Sequence, residues 1–279
     1  MFASYSLNSS LVLYADDTTL YKPISNESDI TSFQADIDTI HNWFSVNHLT
    51  ANASKTRLMV ISTKKDPFPN MSLHMNNQVI ERVSSVKFLG IHISDNLSWN
   101  EHVNYISKKA RKTIGYIHRA FNSASPTTRR LLYLALVQPI LEYGSITFHP
   151  LNVTLTNRLE STQRFACRVI LQSWNLSHTD LLCMCNLPSL SKRRDIAALS
   201  HLFKILNNLC ASPNPFKPHP KTTLRNLNSL SLDTPFRRLT LCQRSFYPYV
   251  PTLWNYLPED IVKCTSLPVF KSAVRLHLV

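Results

Sequence analysis

Glycine is nearly missing from this chain of 279 residues: only Gly90, Gly115 and Gly144 occur, against sixteen prolines that crowd toward the C-terminal half. So little glycine and so much late proline point to helices joined by proline-punctuated connections. Long apolar runs are also lacking. No stretch of eighteen uninterrupted apolar residues occurs, and the N-terminus has neither the basic start nor the hydrophobic centre of a secretory leader. The expectation is a soluble intracellular protein, in nucleus or cytoplasm, with no membrane partner. Zinc-type cysteine pairs are absent too. Cysteines stand at 167, 183, 185, 210, 242 and 264 with no Cys-x-x-Cys spacing, and Cys183-Met184-Cys185 is too tight for the usual zinc pair. They read as reduced thiols, some of them buried. With 44% hydrophobic residues, the chain can bury the core of one large domain or two ordinary ones, which excludes wholesale disorder.

Acidic charge is scarce after the first third. Residues 1–98 carry seven Lys and Arg against nine Asp and Glu, net −2; residues 99–168 carry ten against three, net +7; residues 169–279 carry thirteen against five, net +8. A basic surface of this size suits a partner with a phosphate backbone. A solvated basic face without a partner is the alternative.

Against that background stands Tyr14-Ala15-Asp16-Asp17, set between the apolar run Leu11-Val12-Leu13 and the strand-like Thr18-Thr19-Leu20-Tyr21. This places two adjacent carboxylates at the tip of a β-hairpin. Like charges so close disfavour their own ionisation unless a cation lies between them. Mg²⁺ is usually held by one or two carboxylates while phosphates and water complete its shell, so the pair suits nucleotidyl transfer. The alternative is a plain surface turn, where aspartate is favoured in any chain.

Downstream, Phe33, Ile37, Ile40 and Phe44 recur with helical spacing, with Asp29, Asp36 and Asp38 elsewhere on the wheel, which predicts a core-packed helix over 29–48. A loop through Lys55 then enters a strand at 57–62. A short hairpin is expected around Asn76-Asn77, and a strand with apolar residues on both faces over 86–93, where Gly90 marks a bulge or a close backbone approach. From Trp99 the period turns helical. Val103, Ile106, Ala110, Ile117 and Phe121 form the packed stripe, and Lys108, Lys109, Arg111, Lys112 and Arg119 lie mostly off it. Ser125-Pro126 opens a helix to about Tyr143 that Pro139 should kink, and another helix runs over 154–171 with Arg158, Arg164 and Arg168 outward. Lys192-Arg193-Arg194 precedes a further helix; it reads as a nuclear signal, a nucleic-acid patch or, slightly favoured, an exposed helix flank. Residues 211–235 are rich in proline and asparagine and read as a linker or long loop. The aromatics of Phe246-Tyr247-Pro248-Tyr249 and Leu253-Trp254-Asn255-Tyr256-Leu257-Pro258 either stack on bases or form a small core, before a last helix over 267–279.

Several short strings recur in one order. They are Tyr14-Ala15-Asp16-Asp17; Trp43 to Asn47 with Leu49, Asn52 and Lys55-Thr56; and Phe88-Leu89-Gly90-Ile91. Trp99, His102, Tyr133, Pro139, Glu142-Tyr143-Gly144, Leu159 and Gln163 come next, then Leu187-Pro188, Arg193-Arg194, Leu253 to Pro258 and Phe270-Lys271. This series resembles, nearly end to end, the C-terminal half of a non-LTR (LINE-type) retrotransposon reverse transcriptase of the jockey-like group. The resemblance implies an α+β fold: a partial palm sheet with hairpins over 1–98, a thumb-like and connecting helical region over 99–210, and a proline-rich linker with a small helical, aromatic segment over 211–279.

It also implies roles. Asp16 and Asp17 would be two of three catalytic carboxylates, holding Mg²⁺ (or Mn²⁺) in the complete enzyme, and Lys55 would protonate or neutralise the leaving pyrophosphate. Tyr14 and Ala15 would line the primer end, Phe88, Leu89 and Gly90 would position the primer strand, and Lys108, Lys109, Arg111 and Lys112 would ride along the duplex. The partners would be an RNA template, a DNA primer and their hybrid. Only thirteen residues precede Tyr14, so the fingers and the strand bearing the third carboxylate have no room, and autonomous activity is not expected. The other readings are a non-catalytic basic nucleic-acid-binding module and an unexpressed retroelement remnant.

Overall fold

Turn chemistry and helix caps decide where the elements begin and end. The structure, a computed structural model, describes residues 6–62, 64, 68–220, 228–234 and 236–278. It is α+β, and the chain divides into two compact units, Met1–Ser98 and Trp99–Val279.

In the first unit, β1 (Ser10–Tyr14) and β2 (Asp17–Tyr21) pair antiparallel, with Leu11 opposite Leu20 and Tyr14 opposite Asp17. Helix α1 (Glu27–Val46) starts at a capping box: the Asn26 side chain accepts the Asp29 N–H at 3.1 Å, and the Asp29 carboxylate accepts the Asn26 N–H at 3.2 Å. Phe33 and Ile37 of α1 pack with Leu20, Leu58, Met71, Leu73 and Ile80. Asp36 does not lie on the wet face as its wheel position suggested. It is 3% exposed and accepts the backbone N–H of Asn8 at 3.1 Å, so the segment leading into β1 is tied to α1.

The remaining strands are short. They are β3 (Arg57–Leu58), β4 (His74–Met75), β5 (Gln78–Val79), β6 (Glu81–Arg82), β7 (Ser85–Phe88) and β8 (Ile91–Ser94). All eight strands pair two by two, β1 with β2, β3 with β6 in parallel, β4 with β5 and β7 with β8; among the described residues they do not join into one palm-like sheet. The strand expected over 57–62 ladders only at Arg57 and Leu58. The hairpin at Asn76-Asn77 forms, both residues having positive φ, 51° and 59°. The single strand expected over 86–93 is a second hairpin, because Leu89 at φ 45° and Gly90 at φ 85° turn the chain between the paired Phe88 and Ile91. Two consecutive positive φ values are the signature of a two-residue turn that matches strand twist. Gly90 adopts this freely; Leu89 does so against the steric preference of an L-residue.

The second unit is helical. Its elements are α2 (Asn100–Ala120), α3 (Pro126–Leu132), α4 (Gln138–Glu142), α5 (Ser145–Phe148), α6 (Val153–Leu171), α7 (His178–Met184), α8 (Leu190–Leu206), α9 (Thr240–Gln243), α10 (Phe246–Asn255), α11 (Glu259–Val262) and α12 (Leu267–Leu278). Pro139 cannot donate a backbone hydrogen bond to the turn before it. The chain answers with wider π-type turns over Tyr133–Val137, where the Gln138 N–H reaches the Tyr133 carbonyl, before α4 resumes. Side chains of Ser125, Asn152, Ser177 and Ser189 cap α3, α6, α7 and α8. Helix α7 has no counterpart among the elements expected from sequence.

Two cores fill this unit. Val103, Ile106, Ala110, Ile114 and Ile117 of α2 pack against Leu155, Leu159, Ala166 and Ile170 of α6, with Val137, Leu141 and Phe148. Leu199, Leu202 and Phe203 of α8 pack against Val250, Trp254, Phe270 and Val274. Phe203 and Phe270 stack at 4.5 Å, so the late aromatics are in part a core, while Tyr256 remains 78% exposed. All six cysteines are free, and Cys167 and Cys185 are buried.

The described part of 211–235 is bonded to α10 and α11 rather than left as a free linker. Asn255 donates from Nδ2 to the Leu232 carbonyl and accepts the Leu232 N–H, both at 2.8 Å. Trp254 Nε1 donates to the Leu230 carbonyl at 2.9 Å, and the Asn228 amide donates to the Trp254 carbonyl at 2.8 Å. Glu259 accepts from the backbone N–H and the hydroxyl of Ser229 and pairs with Lys263 at 2.7 Å. No helix among the described residues is long and apolar enough to cross a membrane.

Asn255→Leu keeps the volume but strands the Leu232 donor and acceptor, so unfolding in urea should show a loss of about 2–4 kcal/mol, whereas Tyr256→Ala should change little. The hydrogen bond and ion pair with Lys263, then the bonds from Ser229, hold the Glu259 carboxyl down at about 2. Its contribution is therefore complete above the ordinary carboxylate range and fades as pH falls from about 4.5 toward 2. Denaturation profiles of wild type and Glu259→Gln should converge over that window.

Candidate functional site

The acidic turn is short and open. Tyr14 and Asp17 face each other as the last pair of the β1–β2 ladder, leaving Ala15 and Asp16 as the turn, with Ala15 at φ 49°. A β-carbon at positive φ is unfavourable, and here it is the cost of closing a two-residue hairpin turn. Asp16 and Asp17 are both exposed, as is Tyr14 at 62%. Leu13 and Val12 below them are each 46% exposed, so the hairpin presents apolar surface beside its acids. Among the described residues no group of three His, Cys, Asp or Glu side chains could hold a metal ion. The turn therefore offers two oxygen-donor side chains and no third.

Lys55 ends a 3₁₀ turn, Ala53–Lys55, capped by Asn52, whose side chain accepts the Lys55 N–H at 3.3 Å. Its side chain is exposed, and among the described residues no hydrogen bond or ion pair joins it to Asp16 or Asp17. Arg57 just beyond pairs with Glu81 at 3.3 Å across the β3–β6 ladder, which orients the turn. Phe88, Leu89 and Gly90 form the tip of the β7–β8 hairpin; Phe88 and Leu89 are half-buried and Gly90 is exposed. These sequence-expected residues thus lie on or beside turns, at the tips of the β1–β2 and β7–β8 hairpins and in the 3₁₀ turn before β3.

On α2, the four cations do not behave alike. Arg111 is committed to α6: its guanidinium donates to Ser161 Oγ at 2.8 Å and lies 5.6 Å above the centre of the Phe165 ring. Arg158 of α6 bonds back to Asn104 of α2. Lys108, Lys109 and Lys112 are exposed beside this seam and have no side-chain hydrogen bond or ion pair among the described residues. Glu101 is the one carboxylate on the helix. The arginines fasten the helices and the lysines remain available to an anion.

Residues without an assigned role converge on a buried polar network at the start of α8. Arg193 donates to both Glu142 oxygens, from Nη2 at 2.9 Å and from Nε, and this bond pulls the Arg193 pKa upward. Arg194 is 1% exposed, and no hydrogen bond reaches its guanidinium among the described residues. Burial pushes its pKa down, and the carboxylates of Glu160, Asp195 and Glu142 oppose that push. The basic triplet is thus not an exposed flank as favoured from sequence: only Lys192 is exposed. A signal existed, because Leu190, Arg194, Ala198 and Leu202 form a four-residue stripe that is buried throughout.

Gln163 donates to the Pro188 carbonyl at 2.9 Å, and the Glu160 carboxylate accepts the Ser191 N–H at 2.9 Å. Asp195 accepts from the Tyr249 hydroxyl at 2.8 Å and bonds His149 Nε2 at 2.7 Å, joining α8 to α10 and to the end of α5. Burial first, then the Asp195 carboxylate, hold the Tyr249 phenol well above its usual range. No local pattern could have shown that grouping, since its members lie on three elements.

No known protein-family model matches the chain, and no solved structure matches it. An uncharacterized protein of Caenorhabditis elegans is similar to it, with 28% identity over 127 residues, 44% of this chain and 64% of the relative. The match therefore spans less than two thirds of that relative's length.

The division of labour on α2 is measurable. Arg111→Ala should cost about 1 kcal/mol in thermal or urea unfolding by removing a hydrogen bond and a cation–π contact. Lys112→Ala on the same helix should stay within about 0.5 kcal/mol of wild type.

Proposed function

We propose that this chain is part of an RNA-directed DNA polymerase of a non-LTR retrotransposon, carrying a metal-binding palm turn and a helical nucleic-acid-binding region. The observation that carries the reading is the Tyr14-Ala15-Asp16-Asp17 string at the tip of a hairpin, with both carboxylates exposed and Ala15 held at positive φ. That is an arrangement suited to presenting acids to a ligand.

The donor set fits Mg²⁺, or Mn²⁺, since both favour oxygen ligands and Mg²⁺ is commonly bound by one or two carboxylates together with phosphates and water. Asp16 and Asp17 would hold it. When bound, such an ion supplies charge neutralisation at a triphosphate and activation of a hydroxyl nucleophile. The chain's own residues have simpler tasks: Tyr14 and Ala15 border the primer end, Lys55 offers a cation to departing phosphate, and Phe88, Leu89 and Gly90 present a tight turn to the primer strand. Lys108, Lys109 and Lys112 contact backbone phosphates along an RNA–DNA hybrid, and Arg111 keeps their helix in place. The setting is intracellular, where template and nucleotides are found. With two carboxylates in place of three, this chain by itself is not expected to extend a primer.

A second reading, a nucleic-acid-binding module without catalysis, is favoured by one observation: three lysines on one helix without counter-charges among the described residues. Two experiments separate the readings. Mn²⁺ added to the isotope-labelled full chain should broaden the amide signals of Asp16 and Asp17 before all others, and Asp16→Asn should abolish this; equal broadening in the variant removes the metal assignment. In filter binding to an RNA–DNA hybrid, affinity should fall linearly with salt on a double-logarithmic plot. Each productive lysine replaced among Lys108, Lys109 and Lys112 should lower the slope by about 0.9. Affinity indifferent to salt refutes phosphate contact altogether.

A further inference from the structure

A cavity of about 300 Å³ lies in the second unit, with walls from α4, α5, α8 and α12. Its charge is one-sided. Arg193, His201, Lys204, Lys271 and Arg275 line it, and Glu142 is the one carboxylate. Both Glu142 oxygens are already engaged by Arg193. Lys204, Lys271 and Arg275 have no ion pair among the described residues. Lys271 and Arg275 stand four residues apart on α12, a spacing at which like charges face each other and repel. Phe203 and Phe270, stacked at 4.5 Å, fix α8 against α12, so Lys204 and Lys271, the next residues in sequence, are held at the same junction. Ile146, Ile196 and Ala197 give the cavity an apolar side.

Repulsion among neighbouring cations around a partly apolar hollow is relieved by an anion with an apolar body. We propose that this cavity binds the phosphate group of a nucleotide unit, with Lys204, Lys271 and Arg275 contacting phosphate oxygens and the sugar or base lying against Ile146, Ile196 and Ala197. Phosphate accepts charge-assisted hydrogen bonds from all three side chains at once. His201 reports on the site: burial and then the neighbouring Lys204 hold its pKa below the ordinary imidazole value, and a bound anion reverses the second influence. The phosphate chemistry stands on the cavity alone; a nucleic-acid strand as its source rests on the function proposed above.

The test uses the full chain with two probes, a nucleoside 5′-monophosphate and a short single-stranded oligonucleotide. Binding is followed by calorimetry and by NMR titration of His201. The expected result is an upward shift of the His201 pKa with either probe, and a loss of monophosphate affinity of at least about tenfold in Lys271→Ala/Arg275→Ala and in Lys204→Ala. Lys108→Ala/Lys109→Ala/Lys112→Ala on α2 is the comparison for oligonucleotide binding, and Arg119→Ala, exposed and outside the cavity lining, should leave monophosphate binding unchanged. No movement of His201 with either probe, or wild-type affinity in both cavity variants, overturns the proposal. If oligonucleotide binding is lost only in the α2 variant, the nucleic-acid reading stands and the cavity proposal fails. If monophosphate binds in the cavity and the oligonucleotide binds nowhere, the site stands with free nucleotide as its ligand, and the nucleic-acid reading falls.

Discussion

The C-terminal unit depends on the burial of charge at the first turns of α8. Three consecutive ionisable residues, Arg193, Arg194 and Asp195, sit where the helix passes from one core, through Leu190, to the other, through Ile196 to Phe203. Arg194 is buried and its two neighbours are half-buried, so protein groups meet much of their charge: Glu142 takes Arg193, Tyr249 and His149 take Asp195, and Arg194 lies in the combined field of Glu160, Asp195 and Glu142. Removing one member of such a set leaves an uncompensated buried charge, which costs more than the pair itself contributes. The result is a set of elements from Glu142 to Tyr249 that must assemble together. Burying charge rather than hydrocarbon at this junction favours the pairing of helices that brings Glu142, Glu160 and Asp195 around Arg193 and Arg194.

The N-terminal unit is built the opposite way. Its strands are short, its pairs are separate, and its strongest local signals are turns: Ala15, Asn76, Asn77, Leu89 and Gly90 all have positive φ. Apolar side chains of β1 remain exposed near the acidic turn. Positions of that kind have little protection from local opening. The turn that holds exposed carboxylates next to exposed Tyr14 and Leu13 therefore adds little to the stability of this unit.

How much of the molecule is legible in its sequence depends on which forces are local. Helix α2 is readable nearly to the residue, because its apolar stripe at Val103, Ile106, Ala110 and Ile117 is regular and long. The hairpin carrying Asp16 and Asp17 is likewise visible from an apolar run and a strand-like run on either side of a turn. The β7–β8 hairpin reads from sequence as one strand, because Leu89 is an unusual residue for a left-handed turn position and only Gly90 hints at it. Arg194 and Asp36 escape a wheel projection for a shared reason: a charged residue on a buried stripe is kept there by partners distant in sequence, and periodicity does not name partners. The segment 228–234 has the composition of a linker because its anchors are single side chains of α10, Asn255 and Trp254, whose bonds run to backbone atoms of an irregular loop.

The basic charge itself divides by residue type. Arg129 donates to the carbonyls of Ile170, Asn122 and Ala124, Arg130 to those of Cys185 and Asn186, Arg111 to Ser161, and Arg193 to Glu142. A planar fork with five donors suits that work, and it consumes charge that a count of Lys and Arg would assign to a binding surface. The net charge of the second unit therefore overstates its surface for phosphate. Among the cations that remain are compact, flexible ammonium groups on α2 and a second set around the α8–α12 cavity, where Arg275 is the one arginine left without a carboxylate or carbonyl among the described residues lining it. Lysines are strongly hydrated and bind phosphate as point charges. Contacts of that kind grip a phosphate backbone without reading its bases.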